Sequence, residues 1–337
     1  MRISSTSSTA PKSLKGAALL LLALIGAILV SLCAGASGVS LWQGLGDWLT
    51  GQDTSAARII AHIRLPRTLA AASAGAALAC AGVLIQGVLG NPLAGPNIIG
   101  VNAGAGFSTL LVACFLPSAI KLLPAAAFAG ALTTALFILA LAERTGASRM
   151  TLILAGVAVS AILSSASDLI TTLAPEAALG MSSFMIGGFA GITHARLANG
   201  MAYILPALAV AWALSRALDL MTLGDEVAQS LGLRVRRMRL VLLGLASLLA
   251  GAAVSFSGLL GFVGLLVPHI IRKWTGAEHR YLLPLSMLGG AVFVVLCDTA
   301  ARTLFAPYEL PVGILLSLIG GPFFLYLLLK HRKGGRT

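Results

Sequence analysis

Charge is scarce in this sequence. Only 10% of its 337 residues are Asp, Glu, Lys or Arg, against roughly a quarter in soluble globular chains. Hydrophobic residues make up 58%, and the mean hydropathy is +0.96. So few polar groups cannot cover a surface that faces water. Lipid makes no such demand, so a soluble protein is excluded and an all-α polytopic membrane protein is indicated. Aromatics are also few, at 6%, and no basic face interleaves with them. The net charge of +12 therefore does not indicate nucleic acid. Lysines and arginines sit in short clusters between apolar runs, as positive-inside topology requires.

Four cysteines, Cys33, Cys80, Cys114 and Cys297, lie far apart. No CxxC or Cys–His spacing exists, so no metal or redox site is indicated, and they read as packing residues. The phosphate-cradling GxxxxGK[ST] and the zinc-binding HExxH are missing. The serines of 160–167 have no histidine in an obviously matching span. The chain reads as a non-enzyme with no cofactor of its own, and any ATP hydrolysis must come from another polypeptide. A proton-driven transporter usually buries a titratable group at mid-span. Here Asp168, Asp298 and Glu309 fall near span ends instead.

What is abundant is apolar sequence. Residues 1–35 have Lys12 and Lys15, then an apolar run from Ala17 to SLCAG. A lipoprotein signal needs a small residue before the cysteine, and Leu32 stands there, so the run reads as an uncleaved first span. Further segments lie at 68–88, 98–117, 122–142, 150–172, 199–217, 240–272, 281–297 and 311–330. Segment 240–272 is too long for one span and short for two. Glycines at 258, 261 and 264, with Ser255 and Ser257, suit a turn near its middle.

Charge decides between the two. If the segment crosses twice, ten spans leave both termini inside. Arg58, Arg64, Arg67, Lys121, Arg196 and Arg302 are then outside, and the other 17 of the 23 basic residues are inside. If it crosses once, the balance becomes 11 to 12 and the bias vanishes. The ten-span topology obeys the charge rule. In it, GFVGLLVPHIIR (261–272) is a short eighth span running inward. Pro268 is expected to end its regular hydrogen bonding, with His269, Arg272 and Lys273 at the inner boundary. The stretches 72–82 and 154–167 are rich in small residues, which suits close helix packing.

Three polar features stand out. The inside loop 218–238 holds a short helical pattern opened by Gly224, Asp225 and Glu226, with Val227, Ala228 and Leu231 on one face. Gly232 can cap it, and the helix dipole favours the acidic first turn. It is either a connector or a docking element for an inside partner. Residues 86–97 are uncharged and carry Asn91, Pro92, Leu93 and Ala94 among glycines and prolines. Irregular backbone at membrane depth must be buried in protein or line a cavity, so this favours a pathway or gating loop. Arg64, Arg67 and Arg302 are scarce outside charges. They serve either local pairing, such as Asp298 with Arg302 at i,i+4, or docking of an acidic external partner.

These residues resemble a known family, the FecCD-type permease subunits of ABC importers for iron-siderophores, haem and cobalamin. The likeness rests on RLPRTLAAASAGAALACAGVLIQGVLGNPLAGPNIIGVNAGAG (64–106), LGDEVAQSLGLRVRRMR (223–239), GFVGLLVPHIIR, ELPVGI and GGPFF, and runs over nearly the whole chain. It implies ten spans in one permease domain, 1–337, working as a homodimer or as a heterodimer with a related permease. It also implies two cytoplasmic ATPases that bind ATP and Mg, an external binding protein, and a bacterial inner-membrane location. Gly224, Asp225, Glu226, Ala228, Leu231, Gly232 and Leu233 would then engage the ATPase. Arg64, Arg67 and Arg302 would meet carboxylates of the binding protein. Asn91, Pro92, Leu93 and Ala94, with Ser160 and Ser164 of the fifth span, would lie along the pathway or its gate. Gly90 and Gly95 depart from charged residues usual in the family pattern, and Phe184 from a tryptophan. An ion-driven secondary transporter of a small metabolite is the alternative.

Overall fold

Glycine and proline set the breaks between helices in the computed structural model, which describes residues 9–35, 40–144, 149–306 and 308–334. All regular structure among the described residues is helical. Arg2 and Arg336 of the charge tally lie outside them.

The chain begins with α1 (Thr9–Cys33), then two short helices, α2 (Leu41–Leu49) and α3 (Ser55–Ile59). A π-helical turn, Ile60–Arg64, runs straight into α4 (Leu65–Leu89). A single 3-10 turn, Pro96–Ile99, precedes α5 (Val101–Phe115), and α6 (Leu123–Arg144) and α7 (Arg149–Leu173) follow. Next come α8 (Pro175–Ile186), α9 (His194–Ala213), α10 (Ser215–Thr222) and α11 (Asp225–Ser230). The chain closes with α12 (Val235–Ser257), α13 (Val263–Thr275), α14 (His279–Thr303) and α15 (Val312–Gly334).

Helices therefore stand at all ten expected spans. Six stretches among the described residues are long and apolar enough to cross alone: α1, the continuous α3–α4 stretch, α6, α7, α12 and α14. The pair α9–α10, bent by 54°, makes a seventh. Helices α5, α13 and α15 are shorter or partly polar. The 13 residues of α13 reach only about 20 Å at 1.5 Å each, against roughly 30 Å of hydrocarbon. Non-helical backbone at 258–262 supplies part of the difference, at the turn expected there.

Helix α4 is the central strut. Most of its residues from Ala70 to Leu89 are buried, and it packs on α12, α13 and α14. Its small residues explain why. A Cβ on Gly75 would overlap the Gly290 carbonyl of α14, and one on Gly82 would overlap that of Gly264 in α13. These are the close crossings expected of 72–82. The small-residue stretch of α7 behaves differently. Gly156 meets the Ile98 carbonyl of the 3-10 turn, while Leu154, Val157, Ile162 and Leu169 are exposed.

Proline 268 corrects an expectation. The helix does not end there but continues to Thr275. Proline lacks the N–H that would bond the carbonyl four residues back, which is that of Gly264. Gln86 Nε2 donates to this carbonyl instead, at 3.2 Å from α4. The loop expected over 86–97 is correspondingly shorter, because α4 keeps Gln86 to Leu89 helical and ends at Gly90 in the left-handed region.

Candidate functional site

At one end of the bundle, the loop expected inside is mostly helical. Helix α10 packs on α4 and α14, and α11 follows after Gly224. The end of α11 is a complete Schellman cap. Leu233 N donates to Ala228 O at 3.0 Å and Gly232 N to Gln229 O at 2.9 Å, with Gly232 at φ 86°. Asp225 and Glu226 occupy the first turn. Arg239 of α12 holds Asp225 at 2.6 Å. The apolar residues do not share one face, contrary to the pattern expected. Ala228 is buried, while Leu223, Val227 and Leu231 project outward. A fixed seat thus carries an apolar knob.

Below that seat lies a compact joint. The Asp219 carboxylate of α10 accepts from the His279 backbone N–H at 2.9 Å and pairs with His279 Nδ1 at 2.6 Å. It thereby caps the start of α14, where the helix dipole favours negative charge. Gly87, in the last turn of α4, fits against both neighbours. A Cβ there would stand 2.7 Å from Leu218 Cδ1 and 3.2 Å from His279 Nε2.

Three residues beyond Gly87 the 90–95 loop begins. Asn91 Oδ1 accepts from Leu93 N at 2.9 Å, and Asn91 O from Ala94 N at 3.1 Å. Ala94 is buried, with Asn91, Pro92 and Leu93 half-buried. The loop faces the turn at 260–265 across a cavity of about 130 Å³. Of the two α7 serines expected along a pathway, Ser160 is shielded and its Oγ has no partner, while Ser164 is exposed.

Sequence reasoning missed a second irregular region. Helix α8 ends at Gly187, and the following backbone is satisfied by other loops. Phe184 O accepts from Leu259 N at 3.0 Å, Ser257 O from Gly188 N at 2.8 Å, and Gly187 O from Gly313 N at 3.1 Å. Mutual pairing of this kind is what membrane-depth backbone requires. The signal was present as Pro175 at a helix start and the glycine pair 187–188, but twelve residues were too short to register as a span.

The far end of the bundle carries the three arginines expected outside. All are buried, at 3% for Arg64, 8% for Arg67 and 3% for Arg302. Arg67 Nε and Nη2 straddle Asp298 at 3.0–3.3 Å, and Nη1 reaches Glu309 at 2.7 Å. Arg302 stands 4.0 Å from Asp298 and donates to Ser31 Oγ at 2.8 Å and to the Ser31 carbonyl. Arg64 donates to the carbonyls of Leu32 at 2.7 Å and Cys33 at 3.1 Å. Local pairing therefore engages all three, and Asp298 serves Arg67 more closely than its i,i+4 neighbour. Only Glu309 is half-exposed, with Arg67, Arg196, Phe184 and Phe189 around a cavity of about 450 Å³.

Known proteins share this sequence and fold. The model of the FecCD transport family matches residues 21–330. The hemin transport system permease protein HmuU of Yersinia pestis is 40% identical over 292 residues, covering 85% of this chain and 87% of that one. The Fe(3+)-citrate import system permease protein YfmE of Bacillus subtilis is 39% identical, covering 83% and 84%. The cobalamin import system permease protein BtuC of Halobacterium salinarum is 39% identical, covering 82% and 75%. A solved inward-facing conformation of a metal-chelate type ABC transporter superposes with a TM-score of 0.81 at 32% identity, covering 94% of this chain and 99% of that chain.

Proposed function

The chain belongs to the FecCD transport family, and from that premise we propose that it carries an iron(III)-siderophore or similar metal chelate across a bacterial inner membrane. It does so as one of two permease subunits, identical or related, with two ATPases on the cytoplasmic side and a binding protein on the other. ATP and Mg belong to the ATPases. This chain breaks no bonds.

The observation that carries the reading is α11 on its seat. Val227 and Leu231 are exposed on a capped helix, and α10 beneath it abuts both α4 and α14. A partner that grips α11 can move the 90–95 loop through the joint at Gly87. Gly224, Asp225, Glu226, Ala228, Leu231, Gly232 and Leu233 are the coupling residues in this reading. Asn91, Pro92, Leu93 and Ala94 form the gate, and Ser160 and Ser164 face the pathway. Arg64, Arg67 and Arg302 shape the binding-protein face as internal struts, with Glu309 as its accessible edge. ATP binding and hydrolysis then shift the pair between outward-facing and inward-facing states.

A pull-down from native membrane in mild detergent tests this. An ATPase should co-purify with the wild type and be lost from Gly224→Pro/Leu231→Asp. If the double variant keeps the ATPase, the docking site lies elsewhere. If a well-folded wild type brings down none, ion-driven uptake becomes the reading.

A further inference from the structure

Helix α2 has no part in coupling, gate or arginine cluster. We propose that it lies in the membrane–water interface and anchors the far end of the bundle to lipid. Its sequence, LWQGLGDWL, distributes side chains over three sectors at about 100° per residue. One sector is packed against protein. Leu41 and Gly44 are buried, and a Cβ on Gly44 would stand 2.7 Å from Ile60 Cγ1 and 2.9 Å from the Ala56 carbonyl. Trp42, Leu45 and Leu49 fall together within about 60° of arc. Trp42 is 80% and Leu49 75% exposed. Gln43, Asp47 and Thr50 occupy the side opposite this apolar flank, where Asp47 Oδ2 accepts from Thr54 Oγ1 at 2.7 Å.

A helix with one edge on protein, one apolar flank and one polar flank fits a boundary between oil and water. The position agrees. Helix α2 follows the end of α1, whose Leu21, Leu22, Ile25, Leu29 and Val30 are exposed as lipid-facing residues would be. The π-helical turn on which α2 packs also holds the end of α1 through Arg64, so the apolar flank lies at that same end of the bundle. Composition points the same way, because all four tryptophans of the chain stand exposed near span ends: Trp42 and Trp48 at the far end, Trp212 and Trp274 at the coupling end. Interfacial belts of tryptophan mark the two membrane surfaces. A docked soluble protein would not account for exposed tryptophans at both ends of the bundle.

The test is fluorescence of the full chain in lipid nanodiscs, with Trp48, Trp212 and Trp274 changed to Phe so that Trp42 alone reports. Phosphatidylcholine brominated near the headgroup end of its acyl chains should quench most of the emission. Lipid brominated near the methyl end should quench less, and aqueous acrylamide little. A red-shifted emission that acrylamide quenches and brominated lipid leaves intact would overturn the proposal. So would an emission that moves only when a binding protein is added, which would make α2 a protein-docking surface. Trp42→Phe in the otherwise native chain serves as the second measurement. It should remove Trp42's part of the quenching by shallow-brominated lipid, leaving that of Trp48, and an unchanged quench would also overturn the proposal.

Discussion

At the scale of single residues, the Pro268–Gln86 pairing shows how a defect in one helix is repaired by another. Gln86→Leu leaves the Gly264 carbonyl without its donor and should cost about 1–3 kcal/mol. The cost would appear as a lowered thermal midpoint of the detergent-solubilised protein. Pro268→Ala restores an N–H to the same carbonyl, so combining the two should recover much of the loss. A double-mutant cycle showing strict additivity would refute the pairing. The arginines give a second contrast. Arg67→Gln strands Asp298, which is 1% exposed in its side chain, and should destabilise by about 3–5 kcal/mol. Arg58→Gln breaks a 2.6 Å pair with Asp53, both partners largely exposed. It should cost little, because water screens an exposed pair, although Arg58, chiefly by hydrogen bonding, holds the Asp53 carboxyl below its ordinary value. Equal losses from the two variants would contradict the burial described.

At the scale of elements, the joint between α10 and α4 should matter more for coupling than for folding. Gly87→Val must push Leu218 and His279 apart, and α10 with them. The expected result is a complex that still hydrolyses ATP in proteoliposomes but transports several-fold less chelate per ATP. Unchanged transport per ATP would remove Gly87 from the coupling route. Phe262 belongs to the same scale. It is the one non-glycine among the described residues with positive φ, at 65°, a conformation costing roughly 1–3 kcal/mol. It leads α13 away from the 258–262 turn, and its ring fills the place a side chain on Gly320 would need. Phe262→Ala should keep the strain, lose the packing, and be less stable than Phe262→Gly.

At the scale of the whole molecule, the helical architecture and the places of the spans were legible because apolar length and charge placement act over the entire chain. The break inside 240–272 followed from the charge balance, and its site from glycines, with no knowledge of packing. Impermeant maleimide should label Asp53→Cys in intact cells and Gln229→Cys only after permeabilisation. The reverse pattern would invert the bundle. What stayed illegible depended on partners distant in sequence. Nothing near Pro268 indicates that Gln86 completes its helix. The exposed Val227 and Leu231 could not be separated from buried Ala228 without knowing where α10 sits. Helices α2 and α8 are too short for span-length hydropathy to register. The arginines read as scarce and in need of a reason, with local pairing and external docking both open, and burial set which partners they found.

The end of α1 has a consequence for biogenesis. The carbonyls of its last turn have no partner within the helix, and Arg64 and Arg302 supply the donors. Arg302 is synthesised 271 residues after Ser31. The first helix to enter the bilayer is therefore fastened in two stages, by Arg64 and Thr68 soon after it is made and by Arg302 only when almost the last helix has followed. A nascent chain stalled before α14 would hold its first helix by the early clasp alone, with the Ser31 carbonyl still waiting for its donor.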